Sequence, residues 1–154
     1  VVYFVAWMFV MLLLPEVVRK HKAGESTRTI LFKYVSYISI LALSIVVACF
    51  LFPNVIVQMM FGEAYVSVSH LLGPYALTTG LFAVANLFTY YFLSLGEYKP
   101  VYLSFIGGFL QIGGIILMHK SLEQVVWVQI GSMSLLLIIQ VLYYLKAYKI
   151  HKTA

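Results

Sequence analysis

Residues 30–52 read ILFKYVSYISILALSIVVACFLF, and this stretch decides the fold class. Its only charged residue is Lys33, and it contains no proline or glycine. At about 1.5 Å per residue an α-helix of this length extends about 34 Å, enough to cross a hydrocarbon core about 30 Å thick. A membrane strand needs only about ten residues and alternates in polarity. The stretch is longer and does not alternate, so it predicts a transmembrane helix.

The composition of the whole chain also indicates a membrane protein. Of the 154 residues, 63% are apolar and 10% are charged, whereas soluble domains average roughly half and a quarter. A soluble domain of this size cannot bury so much apolar surface, so a lipid bilayer is the expected partner. The net charge is +5, but the basic residues alternate with membrane-length runs and form no single patch. We therefore expect no nucleic-acid partner.

The sequence contains few features that would indicate a metal site or covalent catalysis. Cys49 is the only cysteine and lies in an apolar run, which excludes a disulfide within the chain. The four histidines are scattered without ligand spacing. Nucleophile motifs, HExxH and glycine-rich phosphate loops between a strand and a helix are absent from the sequence. We expect no cofactor, no metal and no enzymatic activity.

Four further apolar runs occupy residues 1–14, 66–95, 101–118 and 125–145. The first makes roughly 21 Å of helix, too short for a core about 30 Å thick. We interpret it as the truncated tail of a spanning helix and expect the chain to be the C-terminal part of a larger protein. The expected fold class is all-α, a polytopic membrane helix bundle with about five transmembrane helices.

Basic residues fall on alternate connections between these runs. Nine of the ten Lys and Arg residues lie between the first two spans, at Lys33, in the loop containing Lys99, or after residue 145. Only Lys120 lies on the other side. Connections rich in Lys and Arg stay in the cytoplasm. The pattern predicts a cytoplasmic C-terminus and outer connections after the second and fourth runs.

The segment MMFGEAYVSVSH, residues 59–70, falls on the predicted outer side. Gly62 permits a turn, and Glu63 is expected at the interface, where water solvates a carboxylate. Tyr65 suits the headgroup region. An anchored turn is favoured over a direct catalytic or ligand-binding role for Glu63. Pro74, near the start of the next run, predicts a kink or a broken first turn.

Uncharged polar residues follow helical spacing along three predicted spans. Such stripes are typical of helices that line a cavity and also of helices that pack closely, because small residues allow close approach and amides bond across helices. Packing is favoured for the Gly and Ser face of the run at 101–118. For Asn86, Gln111 and Gln140 both interpretations stay open. The candidate substrate-contacting residues are Tyr75, Thr79, Asn86, Thr89, Gln111, Gln129 and Gln140.

The order of several short motifs resembles a known family of exporters. Pro15 ends the first run, Gly24 lies in a basic loop, and residues 61–65 read FGEAY at the predicted outer turn. Gly96 precedes the short loop to the fourth run. This succession, over about 140 residues, resembles the polysaccharide-transport branch of the multidrug/oligosaccharidyl-lipid/polysaccharide exporter superfamily. The O-antigen and capsule repeat-unit flippases belong to that branch.

The resemblance implies a two-lobed protein in the bacterial inner membrane. It implies that this chain is most of the second lobe, and that a missing N-terminal lobe is its partner. The implied function is transfer of an undecaprenyl-diphosphate-linked oligosaccharide between leaflets by alternating access. The implied diphosphate favours cations, but no Lys or Arg falls mid-span here. Arg28 and Lys33 at the cytoplasmic mouth are the candidate electrostatic contacts, although setting topology is the favoured role for both.

Two other functions are compatible with the sequence. A drug or cation antiporter of the same fold needs a carboxylate inside the membrane, and the missing lobe often carries that group in this superfamily. A membrane polysaccharide polymerase or ligase is less favoured, because it predicts a large outer loop with Arg or His residues. The outer connections here are short, and His119 and Lys120 are their clearest basic residues.

Overall fold

A computed structural model describes residues 2–153, and side chains are described at position 4 and over 7–147. The described part is all-α, as predicted. It contains six α-helices and one 3-10 segment. These are α1 (Val2–Lys22), α2 (Arg28–Leu51), α3 (Pro53–Phe61), the 3-10 segment (Glu63–Leu71), α4 (Leu72–Ser94), α5 (Lys99–Leu117) and α6 (Leu122–Thr153).

Four segments of the described chain are long and apolar enough to cross a membrane. They are Arg28–Leu51, Glu63–Ser94, Lys99–Leu117 and Leu122–Ala147. These segments coincide with four of the five predicted spans to within three residues at each end. The fifth predicted span, residues 1–14, corresponds to the first part of α1. Helix α1 is not among the four membrane-length segments. The first residue of that predicted span, Val1, lies outside the described residues. The chain is therefore a multi-pass membrane protein.

Helix α4 lies at the centre of the bundle and contacts α1, α2, α5 and α6. Many of its buried residues are small, among them Gly73, Ala76, Gly80 and Ala83. A Cβ atom built on Gly80 would lie 3.2 Å from the Cβ of Ala42 in α2. Small residues let helix backbones approach closely, which increases dispersion contacts where lipid tails remove the hydrophobic drive for association. The largest buried cluster accordingly joins α1, α2, α4 and α6.

The bundle has two ends that differ in structure. The contacts Thr27–Tyr91 and Gly73–Phe50 show that α2 and α4 are antiparallel. We call the end formed by the loops at 23–27 and 95–98 the basic end, because most Lys and Arg residues of the chain lie in or near these loops. The hairpin end is formed by residues 52–71 and the loop at 118–121.

The connection at the hairpin end differs from the expected turn. Residues 53–61 form helix α3, with Pro53 in its first turn, where a missing N–H leaves no helical bond unmade. Gly62 then takes a φ of 89° before the 3-10 segment begins. The side chains of Ser69 and Asn54 are hydrogen-bonded, which ties the 3-10 segment to α3. Single-residue signals predicted the turn at Gly62 but not the helix before it.

The helix type changes just before Pro74, near the position where the sequence predicted a kink or a broken first turn. The 3-10 segment continues to Leu71, and regular α-helix begins at Leu72. Pro74 therefore lies in the first turn of α4, where its missing N–H costs no intrahelical bond.

Glu63 is exposed and accepts a hydrogen bond from Gln58 Nε2 at 3.2 Å.

Helix α5 has the most open surface of the four spans. Within it only Pro100 and Gly107 are buried, whereas Phe109 is 72% and Leu117 82% exposed. A continuous apolar surface of this extent is unstable against water. In a bilayer the same side chains contact lipid tails, so the exposed face of α5 is consistent with membrane insertion.

Two glycines set the contact between α5 and α6. A Cβ atom on Gly107 would lie 3.3 Å from Leu136 Cδ1, and one on Gly114 would lie 2.7 Å from Val128 Cγ1. By contrast, a Cβ on Gly108 or Gly113 would meet nothing within 4 Å. Gly107 and Gly114 therefore pack against α6, as the packing interpretation predicts, whereas Gly108 and Gly113 do not.

Replacing Gly114 by Ala is expected to lower the free energy of unfolding by about 1–3 kcal/mol, the usual cost of overpacking. Val128 is β-branched and has few alternative rotamers in a helix, so it cannot easily move away. Thermal unfolding of the detergent-solubilised protein measures the change. Gly108→Ala and Gly113→Ala are the matched controls and should leave the transition unchanged or raise it slightly, because Ala favours a helix over Gly; an equal loss in all three variants would contradict the packing described here.

Candidate functional site

Polar side chains of three helices meet inside the bundle, nearer to the basic end. Gln140 Nε2 of α6 donates to Thr89 Oγ1 of α4 at 2.7 Å and to Ser104 Oγ of α5 at 3.1 Å. The two hydroxyl oxygens lie 3.0 Å apart. Thr89 and Ser104 also reach the backbone carbonyls of Ala85 and Pro100, at 3.2 and 3.0 Å. We call Thr89, Ser104 and Gln140 the polar node.

The polar node is a packing contact in this conformation. Gln140 has no exposed surface, and within the described residues its Oε1 atom has no hydrogen-bond partner. An amide buried between apolar helices keeps them in register, because sliding one helix would leave further polar atoms unpaired. Two predicted site residues, Thr89 and Gln140, thus lie together, joined by Ser104. Ser104 belongs to the Gly and Ser face of the run at 101–118, but it is not one of the candidate substrate-contacting residues.

Four other predicted residues line one cleft nearer to the hairpin end. This cleft has a volume of about 330 Å³ and lies between α4, α5 and α6. We call it the amide cleft, because the side chains of Gln111 and Gln129 face it from α5 and α6. The remaining lining residues are Tyr75, Thr78, Thr79, Phe82 and Met133.

The amide cleft has an uncharged, mixed lining. Thr78 and Thr79 donate their hydroxyl hydrogens to the carbonyls of Pro74 and Tyr75, at 3.1 and 3.0 Å. Their oxygens are left as acceptors, while an amide both donates and accepts. Phe82 and Tyr75 add aromatic surface. The cleft therefore suits a neutral molecule that carries many hydroxyl groups and some apolar faces.

Sequence reasoning missed part of the cleft and included one residue outside it. Thr78 and Phe82 lie three and seven residues after Tyr75, so helical spacing places them on the same side of α4. This helical spacing could have identified Thr78 and Phe82 as cleft residues from the sequence. Asn86, by contrast, is half-buried on α4 and lines none of the cavities described here.

An apolar groove of about 420 Å³ adjoins the amide cleft at the hairpin end. Tyr75 and Gln129 belong to both. The groove lies between α3, the 3-10 segment, α4 and the first turns of α6. His70 Nε2 and Glu123 Oε1, 3.3 Å apart, link the 3-10 segment to α6 beside it. Both side chains are exposed, so this contact adds little stability.

The basic end holds the largest cavity among those described, about 690 Å³ in volume. Arg28 lines it, whereas Lys33 is exposed on α2 and does not. The hydroxyls of Thr27 and Tyr91, 2.8 Å apart, are buried beside the cavity. We call this space the basic-end cavity. Its lining residues are His21, Gly24, Glu25, Ser26, Thr27, Arg28, Tyr91, Phe92, Leu95, Glu97, Tyr144 and Ala147.

Across the part of the chain that the structure describes, no group of three or more His, Cys, Asp or Glu residues is arranged to hold a metal ion. Cys49 is buried and unbridged. The sequence matches no known family profile, and no characterised protein or solved structure is significantly similar to it. Function is therefore argued from the polar node and the cavities alone.

The polar node makes a specific thermodynamic prediction. Thr89→Val and Gln140→Leu both remove the hydrogen bond between these residues, so their effects on the free energy of unfolding should not add. We expect a coupling of about 0.6 kcal/mol, the average for hydrogen bonds between membrane helices. A double-mutant cycle from unfolding in mild detergent measures it.

Thr79→Val combined with Gln140→Leu is the control cycle. Thr79 lies ten residues before Thr89 on α4, about 15 Å along the helix. Effects at independent sites usually add within about 0.3–0.5 kcal/mol. Full additivity in the first cycle, with Gln140→Leu as stable as the parent protein, would show that the node does not join the helices.

Proposed function

We propose that the protein is part of a two-lobed exporter that transfers undecaprenyl-diphosphate-linked oligosaccharides across a bacterial inner membrane by alternating access. The observation that carries this proposal is the amide cleft. Hydroxyl, amide and aromatic side chains converge there within helices of membrane length. The sugars would occupy the cleft, and the lipid tail would remain in the bilayer.

The lining of the cleft favours a saccharide as its ligand. A sugar hydroxyl is both donor and acceptor, which matches the amides of Gln111 and Gln129. The faces of a sugar ring that carry C–H groups suit the aromatic rings of Tyr75 and Phe82. A charged ligand at this depth would need an opposite charge, and the cleft lining contains none.

The positions of the charged residues support export of a neutral group. Each Asp, Glu, Lys or Arg in the four described spans lies within six residues of a span end. A drug or cation antiporter of the same fold is the alternative function, and it requires a carboxylate at depth for proton or sodium exchange. The uncharged amide cleft favours the saccharide exporter over this alternative.

In this proposal the basic end faces the cytoplasm and the hairpin end faces the periplasm. The C-terminus is then cytoplasmic. Arg28, at the basic-end cavity, and Lys33, on the exposed surface of α2, attract the diphosphate before it enters. A second lobe completes the passage, and movement of one lobe against the other exposes the cleft to each side in turn.

Transport by the full-length protein in proteoliposomes tests this function. The substrate is a short-chain polyprenyl diphosphate that carries a fluorescent neutral oligosaccharide, and a membrane-impermeant quencher reports its appearance in the outer leaflet. Gln111→Leu and Gln129→Leu should each lower the initial rate about fivefold, as expected from the loss of one hydrogen bond of about 1 kcal/mol.

Gln58→Leu is the matched control, because Gln58 is an exposed amide on α3 outside the cleft. This variant should transport at the parental rate. Equal rates in all three variants would contradict a role for the cleft. Transport of an organic cation without transport of the lipid-linked saccharide would instead support the antiporter.

A further inference from the structure

The basic-end cavity lies at the level where the spans end. Arg28 is the first residue of one span, and Glu97 lies between the ends of two others, at Ser94 and Lys99. A bilayer measures about 40–45 Å with its headgroup regions, against about 30 Å for its hydrocarbon core. The ends of membrane-length helices therefore place this cavity among the lipid headgroups.

The cavity presents charges of both signs. Arg28 is a cationic lining residue, and its Cζ atom lies 5.3 Å from the centre of the Phe32 ring on the same helix. Glu97 contributes a carboxylate, and Tyr143 donates a hydrogen bond of 2.5 Å to its Oε2 atom. Glu25 also lines the cavity, but it pairs with Lys20 at 3.5 Å. Glu97 is therefore the carboxylate that a neighbouring helix holds in place.

The inner wall of the cavity is aromatic and closely packed. Tyr91, Phe92 and Tyr144 are buried and contact one another edge to face, with ring centres 5.5–6.3 Å apart. Such a wall keeps its shape and excludes water from one side of the charged groups. Interactions between those groups and a ligand are stronger there than in bulk water.

We propose that this cavity binds the headgroup of a zwitterionic phospholipid that carries a primary amine, a phosphoethanolamine lipid. In this proposal the phosphate pairs with Arg28, because a guanidinium group matches phosphate oxygens in geometry. The ammonium group donates hydrogen bonds to Glu97. The volume of about 690 Å³ lies within the range of about 300–1,000 Å³ that is usual for small-molecule sites.

The pairing of charges selects this headgroup over others. An anionic glycerol headgroup offers a phosphate to Arg28 but leaves Glu97 facing its negative charge. A choline headgroup carries a positive charge but has no N–H group to donate to a carboxylate. Ethanolamine satisfies both side chains. This site is separate from the amide cleft. It shares Arg28 with the function proposed above, but the lipid-binding measurements that test it do not require transport.

Native mass spectrometry of the full protein in detergent, with lipids of matched acyl chains, tests the proposal. Phosphatidylethanolamine should bind more tightly than phosphatidylcholine or phosphatidylglycerol. Glu97→Gln should weaken phosphatidylethanolamine binding about tenfold, the effect of losing a charge-assisted hydrogen bond, without weakening phosphatidylglycerol binding. Arg28→Gln should weaken the binding of both lipids.

Glu63→Gln, at an exposed carboxylate of the hairpin end, is the control and should leave all three affinities unchanged. The parent protein provides a test that needs no variant: free phosphoethanolamine should displace the bound lipid, and phosphocholine should not. Equal affinity for the three lipids, preference for phosphatidylglycerol, or equal effects of Glu97→Gln and Glu63→Gln would overturn the proposal.

Discussion

The lack of water in a bilayer core is the constraint on which this structure depends. Every backbone N–H and C=O group at that depth must be paired within the protein, and an α-helix pairs them within one segment. The three positive-φ glycines of the described chain, Gly24, Gly62 and Gly96, accordingly lie between helices and not inside them. Irregular backbone is confined to the two ends, where water and headgroups can satisfy it.

Within that constraint, small residues and a few amides determine how the helices meet. Helix α4 contacts all four of the other long helices, and its buried surface contains several Gly and Ala residues. The polar node then adds a directional contact between α4, α5 and α6. Apolar packing in lipid is weakly specific, whereas a buried amide has few satisfactory partners. The node therefore contributes to the register between α4, α5 and α6.

The sequence predicted the fold class and four of the five spans because hydropathy and length are properties of a single segment. The ends of Arg28–Leu51 and Lys99–Leu117 fall within two residues of the predicted runs. Helix α3 was missed, because nine apolar residues after a proline are compatible with a loop, a strand or a short helix. Its conformation depends on contacts with the 3-10 segment, which only the assembled structure provides.

The site was predictable in its residue types but not in its grouping. Helical spacing identified Thr89 and Gln140, yet 51 residues separate them and no local signal shows that they bond. The same holds for Gln111 and Gln129, which reach one cleft from two helices. Whether a polar residue joins the node or faces the cleft depends on the register between helices. That register is a tertiary property, so a single sequence left both interpretations open.

Cysteine accessibility in sealed, oriented membranes tests the central claim, a bundle that spans the bilayer, together with the proposal that its basic end faces the cytoplasm. In a Cys49→Ala background, a membrane-impermeant maleimide should label a cysteine at Glu63 only from the periplasmic side. A cysteine at Lys22 should be labelled only from the cytoplasmic side, and one at Gly108, within a span, from neither. Labelling of Glu63 and Lys22 positions from the same side would contradict the account.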